Sequence, residues 1–163
     1  SLLEVMKQGP QLGPRGRFRR LTPIVERAFD LPTMTRFAVG PAWSSQSQPE
    51  HQALTTAFTR LTAASYAHNF DRWAGERFEV DPKAQQRGAD RIVKARIVPL
   101  KGAATELLYR VHKTPAGWKI VDVYYGSISQ LTTRRADFAQ PLAAGGAMGL
   151  EKHLNGLVEG LLR

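Results

Sequence analysis

Apolar positions along this chain change period twice, near residue 77 and again near residue 127, and those changes organise the rest of the reading. Up to Trp73 they recur at helical spacing. Ser1 to Gln8 is a short amphipathic piece (Leu2, Leu3, Met6) ended by Gly9-Pro10, and Gln11 to Gly16 reads as a Gly/Pro linker. Phe18, Leu21, Ile24, Val25 and Phe29 then give a helix with an apolar stripe. Asp30 can cap the next helix, with Pro32 in its first turn, where a missing N–H is harmless. Met34, Phe37 and Ala38 follow at i, i+3 and i+4, and Gly40-Pro41 stops the helix just before Trp43. Ser47-Gln48-Pro49-Glu50 is a capping box that opens a longer helix carrying Leu54, Phe58, Leu61, Tyr66, Phe70 and Trp73. Running to about Trp73, it is a rod of about 35 Å, longer than its own core needs and able to wall a groove.

From Arg77 the period is two. Arg77 to Asp81, Arg91 to Pro99, Thr105 to Lys113 and Trp118 to Tyr125 are four strands, and Thr114-Pro115-Ala116-Gly117 makes the last two a hairpin. Short connections make the sheet antiparallel. One face holds Phe78, Val80, Val93, Ala95, Ile97, Leu107, Tyr109, Val111, Val121, Val123 and Tyr125. The other holds Glu79, Lys94, Arg96, Arg110, His112 and Asp122, so one side is wet and the other packs on helices. Ser127-Ile128-Ser129-Gln130 is a further capping box, opening a helix with Ile128, Leu131 and Phe138. Pro141 and Gly145-Gly146 break that helix before a last one with Leu150, Leu154, Leu157 and Leu161. The pattern predicts an α+β fold: a four-stranded antiparallel meander sheet covered by helices, in one domain over 1–163. Residues 1–74 form its helical part, 77–125 its sheet and 127–163 its C-terminal helices.

Composition changes this picture in one respect. The net charge is +9, carried mainly by arginine, whose planar fork suits phosphates and carboxylates. Nucleic acid, an anionic membrane face or an acidic partner would each fit such a surface. The absence of cysteine removes disulfides, thiolate metal sites and cysteine nucleophiles without fixing a compartment. No apolar run approaches the roughly 18 residues of a membrane span. With Ser1 in place of an initiator Met, the chain reads as a trimmed segment whose removed part could have carried an export signal.

Phe29-Asp30-Leu31-Pro32-Thr33-Met34-Thr35-Arg36-Phe37-Ala38-Val39-Gly40-Pro41-Ala42-Trp43 joins helix punctuation to a dense apolar set. With Phe58 to Trp73, Gly75-Glu76-Arg77-Phe78-Glu79-Val80, Gly117 to Gly126 and Phe138 to Leu154, it resembles the MlaC-type, or toluene-tolerance, family of periplasmic phospholipid carriers. The resemblance runs from about Arg17 to Leu157, and the wording of the first stretch is similar to the hopanoid-associated, HpnM-like branch. No single stretch is a chemical signature; pattern and order carry the likeness.

Chemistry finds little support in the residues themselves. His51, His68, His112 and His153 show no shared ligand spacing, so neither a metal nor another cofactor is expected. Gly126-Ser127-Ile128-Ser129 lacks the Gly-x-Ser-x-Gly form of a nucleophile elbow, and Gly145-Gly146-Ala147-Met148-Gly149 lacks the Lys-Ser/Thr of a phosphate loop. Asp122, between Val121 and Val123, is the one residue that could act as a general base, in an enzyme on a cone-shaped α+β fold. The plainer expectation pairs it with Arg110 or Lys119 on the same hairpin. Nucleic acid is disfavoured, because the aromatics fall on apolar faces and no helix-turn-helix or RNA-binding strand motif is present.

What remains is apolar binding without catalysis. The helices supply more large side chains than one face of a four-stranded sheet needs, and tyrosine hydroxyls could rim a cavity. The resemblance implies that hydrocarbon tails lie between sheet and helices with the head group exposed. Its lipid-binding set would be Phe37, Trp43, Leu54, Phe58, Leu61, Tyr66, Phe70 and Trp73 from the helices, and Ile128 and Leu131 beyond the sheet. The strands would contribute Phe78, Val80, Ile97, Leu107, Tyr109, Val111, Val121, Val123 and Tyr125. It also implies a periplasmic monomer that shuttles phospholipid or a hopanoid-like lipid between an inner-membrane ABC-transporter complex and an outer-membrane lipoprotein complex. Arg15 to Arg20 and Arg134-Arg135 are either solvated faces or contacts for anionic head groups and partners. Opening of the shell is expected at Gly40-Pro41 and Gly145-Gly146.

Overall fold

The computed structural model describes residues 1–163. Five α-helices and six strands follow in order: α1 (Leu2–Lys7), α2 (Gly9–Ala28), α3 (Leu31–Val39), α4 (Gln48–Asn69), β1 (Arg77–Val80), β2 (Gln85–Arg87), β3 (Asp90–Val98), β4 (Thr105–Thr114), β5 (Gly117–Tyr125), β6 (Ile128–Ser129) and α5 (Gln130–Leu161). A 3₁₀ turn, Gly40–Ser45, separates α3 from α4. The class is α+β with a wholly antiparallel sheet, ordered β1-β3-β4-β5-β6, and β2 shares an edge of β3 with β1.

The two helix caps legible in the first half form as their chemistry requires. Asp30 accepts from the Thr33 amide and hydroxyl at 3.3 and 2.9 Å, and Ser47 exchanges hydrogen bonds with Glu50 as a capping box. Other elements differ from the sequence pattern. The supposed linker Gln11 to Gly16 is helical, its only irregularity the left-handed Gly13, because Pro14 is tolerated at the start of the segment that resumes after it. Helix α4 ends at Asn69, so Trp73 lies in the connection to β1. The sheet has six strands rather than four. Short, polar and exposed β2 carries no alternating apolar signal, and β6 is too short to show a period. The cap of α5 is Ser129, not Ser127, so Ile128 belongs to β6 and not to the helix face. Pro141 does not break α5, whereas Gly146 does (φ 64°, ψ −155°).

Strand register fixes which side chains share a face. Val80, Ala95, Leu107, Tyr125 and Ile128 form one row across the sheet, and Val93, Tyr109 and Val123 the next. Strict alternation fails beyond that row, because a bulge at Arg110/Val111 pairs Val111 with Ile120 and leaves Val121 as the extra residue. The core lies where α2, α3, α4 and α5 meet each other and β5. Leu21, Leu54, Leu61, Phe138, Leu150, Leu154 and Val158 are its largest wholly enclosed apolar side chains.

Candidate functional site: a cavity between helix and sheet

A cavity of about 100 Å³ opens where the C-terminal half of α4 leans over β5 and the start of α5. Its apolar wall comes from Phe58 and Tyr66 of α4, Phe70 at the C-cap of that helix, Val123 and Tyr125 of β5, Leu131 of α5, Met34 of α3, and Phe29 just before α3. Rings hold this wall open. Phe29 meets Tyr66 edge-on at 5.9 Å, Tyr66 stacks on Phe70 at 5.6 Å, and Phe58 meets Phe138 edge-on at 5.7 Å. Flat side chains locked in such pairs cannot collapse into the gap as aliphatic chains would. The rest of the lining is polar: Thr62, Ser65 and Asn69 from α4, and Gln130 and Arg134 from α5, with the Arg134 guanidinium 3.5 Å from the Ser65 hydroxyl.

Three tyrosines crowd together here, and burial is the first reason their hydroxyls resist ionisation. It pushes Tyr66 well above the ordinary value, with the neighbouring Tyr109 and Tyr125 adding to the effect, and raises Tyr109 and Tyr125 as well. All three are neutral hydroxyls at neutral pH, suited to hydrogen bonding and not to acid–base work.

Asp122 has a structural position outside the cavity. Its carboxylate accepts from the Ser129 hydroxyl at 2.5 Å, the Val123 amide at 2.8 Å and the Leu131 amide at 3.0 Å, and it is not among the residues lining the cavity. The expected pairing is also corrected: Arg110 binds Asp90 at 2.6 Å, and the Lys119 ammonium donates to the Glu26 carbonyl at 3.2 Å. Asp122 thus ties the end of β5 to the first turn of α5, where a carboxylate satisfies free amides and complements the helix dipole. His51 stacks on nearby Trp43 at 3.7 Å, whereas His112 meets Asp30, distant in sequence, at 2.7 Å, so the two histidines serve separate contacts.

Of the apolar residues singled out in the sequence, the structure brings Phe58, Tyr66, Phe70, Val123, Tyr125 and Leu131 to the cavity. Tyr109 packs behind Tyr66, and Phe78 lies 6.3 Å from Phe70 with its outer side exposed. Leu54 and Leu61 are buried in helix packing, Leu107 and Val121 are buried on the sheet, and Ile97 and Val111 are half-buried there. Val80 and Ile128, at the two ends of their row, are 64% and 61% exposed and wall nothing. Phe37 lies under the Arg135 guanidinium, Trp73 under the Lys7 ammonium and Trp43 against His51, all away from the cavity lining. The basic cluster at residues 15–20 is partly structural: buried Arg17 donates to the carbonyls of Ala67 and Gly9, and Arg15 pairs with Glu159 at 2.8 Å.

Sequence reasoning missed Phe29 and Met34 as lining residues, and every polar one except Arg134, which it placed either on a solvated face or against anionic head groups. Thr62, Ser65 and Asn69 stand at i, i+3 and i+7, one turn along from Phe58 and Tyr66, which was the available signal.

The fold matches that of a phospholipid-binding protein from Ralstonia solanacearum, solved in complex with a phospholipid. The two are 25% identical, with a TM-score of 0.81 over 99% of this chain and 93% of the other. No curated protein matches the sequence. The family described as MlaC protein matches residues 1–156, and on that match this chain belongs to the MlaC family.

Proposed function

We propose that this chain is a non-enzymatic lipid carrier that encloses hydrocarbon tails between the sheet and helices α4 and α5. The observation that supports it is the ring-lined cavity itself, mostly apolar with a set of polar side chains from α4 and α5, in a fold shared with a protein solved with phospholipid. Each methylene taken from water contributes about 0.8 kcal/mol, so part of an acyl chain is enough for tight retention without head-group recognition. At about 100 Å³ the cavity is smaller than ordinary ligand pockets, which run from about 300 to 1,000 Å³, so its walls must part to admit whole tails. Gly40 and Gly146, both left-handed and at the ends of rigid helical segments, are where the shell would bend. The carrier would work as a monomer in the periplasm. It would take phospholipid, or a hopanoid-like lipid, between an inner-membrane ABC-transporter complex and an outer-membrane lipoprotein complex.

Native mass spectrometry of the purified protein, followed by solvent extraction and lipid analysis, tests this. A stoichiometric lipid is the expected result, and Val123→Trp, which fills the cavity from the sheet side, should remove it while the protein stays folded. A protein that remains lipid-free after incubation with liposomes would overturn the reading.

A further inference from the structure

The polar wall of the cavity is more than tail burial requires. Five polar side chains converge on it from two helices, and one of them is a cation. Arg134 differs from the other well-placed arginines. Arg15, Arg96 and Arg110 each hold a carboxylate at 2.8 Å or less, and Arg17 is satisfied by two carbonyls. Arg134 has only a 3.5 Å contact with the Ser65 hydroxyl and a 3.9 Å approach to Asp137, whose side chain is half exposed. Its own side chain is two-thirds enclosed, at 33% exposure. A guanidinium has five donors in a fixed fork, so most of this one's hydrogen-bonding capacity is uncommitted. Holding it beside an apolar cavity costs solvation that only an anion returns in full.

We propose that Arg134, with Ser65 and Gln130 beside it, holds the phosphate of a phosphodiester head group at the cavity mouth. The protein thereby selects phospholipids over lipids with the same tails and an uncharged head. The proposal rests on the lipid-carrier reading. The geometry suits it: Gln130 and Arg134 stand one turn apart on α5, Arg134 reaches the Ser65 hydroxyl of α4 at 3.5 Å, and Asn69 lines the same cavity, so that tails pointing towards Phe58 and Val123 leave the phosphate between the two helices. A planar fork can grip two phosphate oxygens at once, which an ammonium cannot. A neutral polycyclic lipid or a diacylglycerol would occupy the same apolar wall and leave the cation without its anion.

The test is competitive loading from liposomes containing phosphatidylethanolamine and diacylglycerol with identical acyl chains, read by native mass spectrometry of the intact protein. The wild-type chain should retain the phospholipid in about ten- to hundred-fold excess, the worth of a charge-assisted hydrogen bond set. In Arg134→Gln the ratio should fall towards one, and Arg134→Lys should recover part of it. Glycerol phosphate, which offers the phosphate without tails, should neither load nor displace lipid; loading of it alone would make this a phosphate site and overturn the assignment to lipid. Equal retention of both lipids by the wild type would overturn the phosphate site while leaving the carrier intact, as would an unchanged preference in folded Arg134→Gln. Retention of neither lipid by the wild type would remove both.

Discussion

Helix α4 has two faces, and they solve opposite problems with one backbone. Leu54, Ala57, Leu61, Ala63, Ala64 and Ala67 are at most 2% exposed and lie against other helices, α2 and α5 being the main neighbours. Their small and branched side chains let helices approach closely and fill the space between them at the density of an organic crystal. Turned partly away from that packing, Phe58, Thr62, Ser65, Tyr66 and Asn69 line the cavity, with Phe70 joining them just past the helix end. Rings in fixed pairs and short polar side chains cannot tile a surface, so space remains. The lesson is that a cavity does not require fewer apolar residues. It requires apolar residues of shapes that do not interlock, set beside a face that interlocks well enough to keep the helix in place.

Changes on the tight face should therefore cost the most. Leu61→Ala leaves a void that its neighbours can only partly close, and is expected to lower the unfolding free energy by about 2–5 kcal/mol. The check is the urea midpoint, with an unchanged slope showing that stability alone has moved. Next in size is Ala64→Leu, which inserts three carbons where Ala64 has no exposed surface, at a cost of about 1–3 kcal/mol. The same enlargement one residue along, at Ser65, points at the cavity and should cost far less. If Ala64→Leu and Ser65→Leu prove equally destabilising in thermal melts, the two faces are not distinct and the cavity is ordinary core.

How much of this was legible in the sequence depends on the kind of signal. Asp30, Ser47 and Glu50 announce helix starts because a cap is a local bargain between a side chain and the next three amides, and tertiary context left them alone. The four longer strands were equally plain from alternation. The bulge at Arg110/Val111 was not, since it is set by pairing between β4 and β5 and leaves the composition of either strand unremarkable. Asp122 was misread for a related reason. Its partners Ser129 and Leu131 follow a reversal of the chain that only the β5–β6 turn creates, whereas Arg110 was simply opposite on the hairpin. The cavity wall was half legible. Sorting residues into apolar and polar finds Phe58, Tyr66 and Val123 and also collects exposed Val80 and Ile128, which differ from them in lying on the edge strands β1 and β6. The same sorting discards Ser65 and leaves Arg134 undecided, because a polar residue on a cavity wall looks like one on a solvated face.

The smallest effect separates the faces by titration. Besides the polar and cationic groups of its rim, the cavity face carries Tyr66, which touches the ring of Phe70 and the neighbouring tyrosines, whereas the tight face of leucine and alanine has nothing to titrate. Burial, joined by the proximity of Tyr109 and Tyr125, raises the Tyr66 pKa above its ordinary 10.0, so the folded state favours the protonated hydroxyl. A raised folded value means that the unfolded chain releases its proton first. The stabilisation is therefore whole below about pH 10 and drains away as pH climbs towards the folded value, by at most about 1.4 kcal/mol per pH unit for one such group. At pH 7, Tyr66→Phe removes a hydroxyl but not the ring, and the melting temperature should shift by only a few degrees. Between pH 10 and 11 the wild type should lose stability faster than Tyr66→Phe, so that the two melting curves converge. Parallel curves over that range would mean that Tyr66 is solvated in the folded protein, and that the ring-lined wall is open to water where the structure encloses it.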